Sequence, residues 1–90
     1  MKKNNFPSRK ELRGAVLLAL KNLGGEASVP EINQQVIEIL DLPEDVVMLE
    51  DESGLGTKLE YRLRWIRTEL RSSKMIENVQ KGIWALVCDE

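Results

Sequence analysis

The amino-acid sequence predicts a mainly α-helical domain that ends in a small β-hairpin, an α+β fold. Three capping-box motifs each precede an apolar helical repeat, two β-prone runs follow the last repeat, and a glycine separates those runs. With 90 residues, of which 42% are hydrophobic, the chain can form one domain with a modest core. We expect residues 1–7 to be a flexible N-terminal segment and residues 8–88 to form the single domain.

The first helix is predicted over residues 9–23. Ser8 and Glu11 form a capping box, in which a hydroxyl and a carboxylate satisfy two amide donors that the first turn leaves free. Leucines, alanines and a valine recur on one face at helical spacing, so this face is expected in the core. Gly24 and Gly25 end the helix, because glycine readily adopts the left-handed conformation that follows a last turn.

The second helix is predicted over residues 29–40, after a second capping box formed by Ser28 and Glu31. A further helix start follows at residues 42–45, where a proline precedes two acids. It predicts a short inserted helix that ends near Leu49. With this insertion, the segment that joins the second and third long helices is longer than the short turn of a plain helix-turn-helix.

The third long helix is predicted over residues 58–73, after the capping box of Thr57 and Glu60. At 100° per residue, four apolar side chains of this helix fall within about 60° of one another and form a narrow core stripe. They are Leu59, Leu63, Ile66 and Leu70.

Residues 75–79 and 83–87 are strand-like, and Gly82 lies in the turn between them. An isolated two-stranded hairpin is only marginally stable in water, so this one must pack on the helices. The order helix, helix, short helix, helix and hairpin is that of a winged helix-turn-helix, with the hairpin as its C-terminal wing.

The formal net charge of −2 hides two basic segments around an acidic one. Residues 1–25 carry a net charge of +5 and residues 57–81 a net charge of +4, whereas residues 26–56 contain nine acids and no Lys or Arg. Charge distributions of this kind bear on partners rather than on fold. The basic third helix and the turn after it therefore point to an anionic partner.

The side of the third helix opposite its apolar stripe supplies candidate DNA contacts. In a winged helix-turn-helix this helix lies in the major groove. Arginine suits bidentate contacts with phosphate or guanine, and Arg67, on the flank of the helix, is expected to extend its guanidinium outward along its stem. The predicted contacts, including the wing, are Lys58, Tyr61, Arg64, Arg67, Thr68, Arg71, Lys74 and Lys81.

The two tryptophans receive different predictions. Arg62 and Trp65 are expected to be structural, and Trp65 is expected to pack under the acidic insertion. Trp84, in the second strand of the hairpin, is expected to cover the open end of the helices.

Several chemistries are excluded by composition. The sequence has no His and one Cys, which rules out a Cys/His zinc site and the His-dependent catalytic centres. It shows no catalytic constellation, metal site or cofactor motif, so we do not expect an enzyme. The lone Cys88 cannot form an internal disulfide, which fits a cytoplasmic protein. No apolar run is long enough to span a bilayer, so no membrane partner is expected.

Three stretches of the chain resemble the N-terminal winged-helix domain of Mrr-type restriction endonucleases. Residues 18–27 carry a Gly-Gly after the first helix, residues 61–68 an Arg-x-x-Trp, and residues 81–86 a Gly-x-Trp-x-Leu. The resemblance covers nearly the whole chain and implies a DNA-binding domain that delivers a separate C-terminal nuclease domain. We expect no nuclease domain within these 90 residues, so no cleavage activity is carried over from the resemblance. Arg64 stands where family members often have a small residue, which adds charge to the helix.

Two functions are therefore considered. The leading hypothesis is a double-stranded DNA-binding module, the recognition part of a restriction-type system, with Lys2, Lys3 and Arg9 assisting on phosphate. The alternative is a protein-interaction or dimerisation module with the same fold and no DNA binding. Its partner, or a second copy, would dock on the acidic segment at residues 41–52, which a basic surface complements.

Overall fold

The computed structural model of the protein describes residues 6–50, 54 and 56–87. The α+β class and the winged-helix order are confirmed, and the three long helices lie within one residue of their predicted bounds. The predicted segment boundaries at residues 7 and 88 stay predictions, since residues 1–5 and Cys88 lie outside the described residues. The elements, in chain order, are α1 (Arg9–Asn22), β1 (Glu26–Ser28), α2 (Val29–Ile39), α3 (Glu44–Val47), α4 (Lys58–Ser72), β2 (Ile76–Gln80) and β3 (Ile83–Leu86).

All three predicted capping boxes form and set the first residue of each long helix. At the start of α1, the amide of Glu11 donates to Ser8 Oγ over 3.1 Å, and the amide of Ser8 donates to Glu11 Oε1 over 2.9 Å. The same reciprocal pair opens α2 and α4. Each box satisfies two backbone donors that a helix cannot satisfy internally, so the starts of these helices are locally encoded.

The C-termini of the three long helices share a left-handed residue. It is Gly24 after α1 with φ 90°, Asp41 after α2 with φ 51°, and Lys74 after α4 with φ 64°. The next amide then donates back to a carbonyl of the last turn, as Gly25 does to Leu20 over 2.7 Å. Only the first of these positions holds a glycine, so the other two helices end at a conformational cost.

The core lies between the long helices and one face of the sheet. The apolar stripes predicted from helical spacing are buried, and the inward-facing side chains of α4 are at most 3% exposed. Half-buried side chains such as Trp84 and Leu86 of β3 close the open end of the helices, as predicted for Trp84. The fully or nearly fully buried core residues of the long helices are Leu12, Ala15, Val16, Ala19, Leu20, Ile32, Val36, Leu59, Leu63, Ile66 and Leu70.

The sheet has three strands rather than the two predicted. It is antiparallel with the order β1-β3-β2, and Ala27 of β1 pairs with Trp84 of β3. Backbone hydrogen bonds extend this pairing beyond the strand, because Leu86 donates to the carbonyl of Gly25 over 2.8 Å. Three residues are too few to show a period-2 alternation, and the partner strand lies at the other end of the chain. The prediction of a lone hairpin was therefore wrong by one strand.

The insertion between α2 and α4 is tied back to the start of α4. Glu50 forms an isolated antiparallel bridge with Thr57, and the amide of Lys58 donates to the carbonyl of Leu49 over 2.7 Å. The short helix α3 packs against α4. Asp51 and Glu52, the last two residues of the predicted acidic segment, lie outside the described residues. The described ends of the insertion thus hold α4 at its N-cap.

The capping box of α2 gives a pH prediction. The backbone amide and hydroxyl of Ser28 donate to Glu31 Oε1 over 3.0 and 3.1 Å, and these bonds hold the pKa of Glu31 below its ordinary value of 4.5. A carboxylate whose pKa is lower in the folded state stabilises the protein above its unfolded pKa and loses this effect as the pH falls through the folded value. We expect Glu31→Gln to flatten the loss of unfolding free energy between about pH 5 and about pH 3, measured by urea denaturation.

Glu38→Gln is the matched control for this prediction, because Glu38 is exposed on the same helix. An equal pH dependence of stability in the two variants would contradict the assignment to Glu31.

Candidate nucleic-acid interface

The inward stripe of α4 turns the opposite side of the helix to solvent. Leu59, Leu63 and Leu70 are at most 2% exposed, whereas Tyr61 and Arg64 on the other side are exposed. The remaining outward positions, Thr68 and Arg71, are exposed as well. This surface therefore carries four of the predicted contacts on one helix, as helical spacing requires.

Two aromatic rings stand side by side on this surface. Tyr61 and Trp65 lie with ring centroids 6.2 Å apart and an interplanar angle of 72°, an edge-to-face arrangement. Trp65 is 57% exposed, so the prediction that it is structural and packs under the acidic insertion was wrong. The helical wheel held the relevant signal, because Trp65 falls well outside the apolar stripe of α4.

A groove of about 410 Å³ runs between α1 and α4 beside the aromatic pair. Tyr61 and Trp65 form part of its α4 wall, and Arg9 and Leu12 line it from α1. Glu69 of α4 also lines the groove, and its carboxylate accepts a hydrogen bond from Arg9 Nε of α1 over 3.1 Å, which links the two helices. Arg13 Nε lies 3.9 Å from the same carboxylate. The groove thus combines apolar rings with a cationic edge.

Lys58 and Arg62 lie at the start of α4 against an aromatic ring. The Lys58 ammonium is 5.1 Å and the Arg62 guanidinium 5.5 Å from the centroid of the Phe6 ring, within range of cation–π attraction. Lys58 is half-buried there rather than fully extended into solvent. Arg62 is exposed to solvent apart from this ring contact, so its structural role stays a prediction.

Arg67 does not join the exposed surface. Its side chain lies on the flank of α4 that faces β3 and is only 8% exposed, with its guanidinium 5.9 Å from the centroid of the Trp84 ring. The prediction that this arginine extends its guanidinium outward is wrong, because the side chain is covered by β3. The helical wheel placed it on the flank, and only the position of the sheet decides whether a flanking residue is covered.

Lys74 and Lys81 lie beyond the end of α4. Lys74 is exposed in the turn between α4 and β2, and Lys81 is exposed in the turn between β2 and β3. Thr68 Oγ1 donates to the carbonyl of Arg64 over 3.1 Å, which leaves its oxygen free to accept a hydrogen bond. In the part of the chain that the structure describes, no ion pair engages the exposed cations Arg64, Arg71, Lys74 and Lys81.

The described residues contain neither a metal-binding cluster nor a membrane-spanning helix. Among residues 6–50, 54 and 56–87, no group of three or more Cys, Asp or Glu side chains could hold a metal ion. Within the same residues, no helix is both long enough and apolar enough to cross a bilayer.

Comparison with protein families identifies the chain. The family model described as the Mrr N-terminal domain matches residues 10–87, which is nearly the whole chain. The chain belongs to this family. The resemblance read from the three motifs is thereby confirmed, and membership relates the chain to restriction systems and to DNA association. A domain of this kind is not by itself a catalytic domain. Searches among curated proteins and among solved structures find no match.

The motifs that resemble the Mrr N-terminal domain have distinct positions in the structure. The Gly-Gly pair supplies the left-handed end of α1 and the carbonyl of Gly25 to which β3 donates. Arg62 and Trp65 are both exposed on α4, and the Arg62 guanidinium lies over the Phe6 ring. In the wing, Gly82 makes the turn with φ 77° and Trp84 lies beneath Arg67.

Lys74 gives a stability prediction at this surface. Its φ of 64° is a conformation that a residue with a Cβ adopts at a cost and that glycine adopts freely. We expect Lys74→Gly to raise the free energy of unfolding by about 1 kcal/mol, measured by urea denaturation.

The matched control is Arg71→Gly, one turn earlier and within α4, which should lower the free energy of unfolding by about 1 kcal/mol. A Lys74→Gly variant that is less stable than the natural sequence would contradict the prediction.

Proposed function

We propose that the protein binds double-stranded DNA with α4 in the major groove and with the β2–β3 turn on the phosphate backbone. One observation carries the proposal: the outward side of α4 presents arginines that no described ion pair engages, on a helix whose other side is locked in the core. Membership of the Mrr N-terminal domain family supports it. The winged-helix order supports it further, because that order presents this helix to the groove.

Phosphate contacts would supply most of the affinity. Arg64 and Arg71 are exposed along α4, Lys74 lies just beyond its end, and Lys81 lies at the tip of the wing. The Arg9 guanidinium already pairs with Glu69, so its contribution would be smaller than that of an unpaired cation. Lys2 and Lys3, which were expected to assist, lie outside the described residues.

The lysine at position 74 is consistent with selection for charge. A glycine would end α4 at lower conformational cost, yet the chain keeps a cation there with φ 64°. Strained positions that persist often have a functional reason. A phosphate contact by the Lys74 ammonium is such a reason.

The outward rings would meet base edges rather than phosphates. Tyr61, Trp65 and Thr68 lie on the exposed side of α4, and Arg64 lines the same shallow pocket. In a major groove, this position faces the bases, where apolar and hydroxyl contacts are made. In this proposal the arginines supply affinity and the central side chains supply contacts with bases.

Salt dependence tests the phosphate contribution. With four to six contacts, the plot of log K against log salt should have a slope of roughly −4 to −5, measured by fluorescence anisotropy with a mixed 20-mer duplex. Arg64→Ala or Arg71→Ala should weaken binding roughly tenfold and make the slope less negative by about one. Lys21→Ala, which removes one exposed charge from the last turn of α1, is the matched control. Absence of binding at low salt would refute the proposal.

Trp65 tests the use of the exposed rings. We expect Trp65→Ala to weaken duplex binding roughly tenfold while the salt slope stays the same, because a ring contact releases no counterion. Its exposure of 57% means that the substitution should change the free energy of unfolding little. Leu18→Ala, which removes an exposed apolar side chain from α1, is the control. An unchanged affinity for Trp65→Ala would exclude the ring from the interface.

We further propose that the protein acts in the cytoplasm as the recognition part of a restriction-type system. Such a part would bring a separate nuclease to the DNA that it binds. Family membership and the lone Cys88 of the sequence support this placement.

A second candidate function is protein docking through the acidic segment. Met48 is 61% exposed and Leu49 45% exposed, and the exposed acids Glu44, Asp45 and Glu50 lie around them in the sequence. A basic surface, including α4 of a second copy, would complement this patch. Light scattering separates the two functions: a dimer that dissociates at high salt, from a protein that does not bind the duplex, would favour docking.

A further inference from the structure

Arg67 is the buried charged residue of the described part of the chain. Its side chain is 8% exposed, between α4 and β3, with the Trp84 ring 5.9 Å from the guanidinium carbon. Two of its guanidinium nitrogens, Nε and Nη1, are inaccessible and have no hydrogen-bond partner among the described residues. No described carboxylate forms an ion pair with it.

This arrangement is energetically unfavourable for a cation. Buried charges in proteins are normally paired and hydrogen-bonded, because removing them from water is costly. Burial lowers the pKa of Arg67, and the like charge of Arg64 nearby lowers it further. A cation–π contact with Trp84 offsets only part of the lost hydration. Arg64 lies three positions before Arg67 on α4, a spacing that makes the two side chains neighbours on the helix, and no described carboxylate forms an ion pair with either guanidinium.

We propose that Arg67 and Arg64, at the junction of α4 and β3 above Trp84, form a binding site for a phosphate group. Arginine is suited to such a ligand, because its planar fork donates two hydrogen bonds to one phosphate. The two inaccessible nitrogens can reach a phosphate only if the guanidinium moves off the Trp84 ring, and the long arginine stem permits this movement. Binding therefore changes the surroundings of the Trp84 indole.

The identity of the bound phosphate rests on the proposed function. If the protein binds DNA, the ligand is a backbone phosphate of the duplex, which would enter between α4 and the wing. A free phosphate ion has the same chemistry and is the simpler probe. Testing both separates the site itself from its use in DNA binding.

The first experiment uses inorganic phosphate. The chain has two tryptophans, so Trp65→Phe leaves Trp84 as the single tryptophan reporter. In this background, replacing chloride by phosphate at constant ionic strength should shift the Trp84 emission and raise the melting temperature by roughly 5 °C. Arg67→Met should abolish the shift and reduce this rise to the general effect of phosphate on proteins. Lys21→Met, which removes an exposed cation from the last turn of α1, should keep both responses.

The sign of the stability change distinguishes a ligand site from a structural role. If Arg67 is an unpaired buried charge, Arg67→Met should melt roughly 5 °C higher than the natural protein in chloride. A lower melting temperature in chloride, together with equal phosphate responses in all variants, would overturn the proposal. If Arg67→Met does not fold, the test relies on the Trp65→Phe protein alone. In that protein, a Trp84 emission spectrum that does not change when phosphate is added also overturns the proposal.

The second experiment uses the 20-mer duplex with the same variants. We expect Arg67→Met to weaken binding roughly tenfold and the duplex to shift the Trp84 emission. A phosphate response without any duplex binding would support the site and refute the proposed function. If Arg67→Met does not affect duplex binding, and neither phosphate nor the duplex shifts the Trp84 emission, the site is refuted and the proposed function is left intact.

Discussion

Burial of the apolar stripe of α4 is the constraint on which the rest of the structure depends. Leu59, Leu63, Ile66 and Leu70 are between 0 and 3% exposed, and they pack with the stripes of α1 and α2. Because an α-helix presents its faces at fixed angles, this burial determines which side chains of α4 reach solvent. The insertion contributes by holding the N-cap of α4 through the bond from Lys58 to Leu49. The candidate interface is therefore the other side of the main core helix.

Two cations at this interface are kept at a cost to folding. Lys74 occupies a left-handed position that favours glycine, and Arg67 is buried on Trp84 without a described carboxylate. The first cost is conformational and the second is loss of hydration. Natural proteins accept such costs where a charge serves binding. Arg67 lies on the flank of α4 toward the wing and Lys74 lies just beyond the end of α4, where a phosphate backbone would approach in the proposed complex.

Local signals predicted most of the fold, but they failed where contacts are distant in sequence. Each capping box involves residues three positions apart, so the helix starts could be read directly. By contrast, β1 exists because Ala27 meets Trp84 across the fold, and no local pattern marks it. Arg67 was misplaced for a related reason. A flanking position on a helix is exposed or covered according to what packs beside it, which spacing alone does not reveal.

The sequence by itself determined the helices, their caps, the hairpin and the segregation of charge, since all of these depend on neighbours within a few residues. Its motifs also placed the chain in the Mrr N-terminal domain family, which the family model confirms. Only the tertiary structure decided which flank of α4 is covered. The sheet packs on the side of Arg67 and buries it, whereas the groove beside α1 leaves Trp65 open to solvent. Burial is a property of the packed layers, so it appears only when distant segments meet.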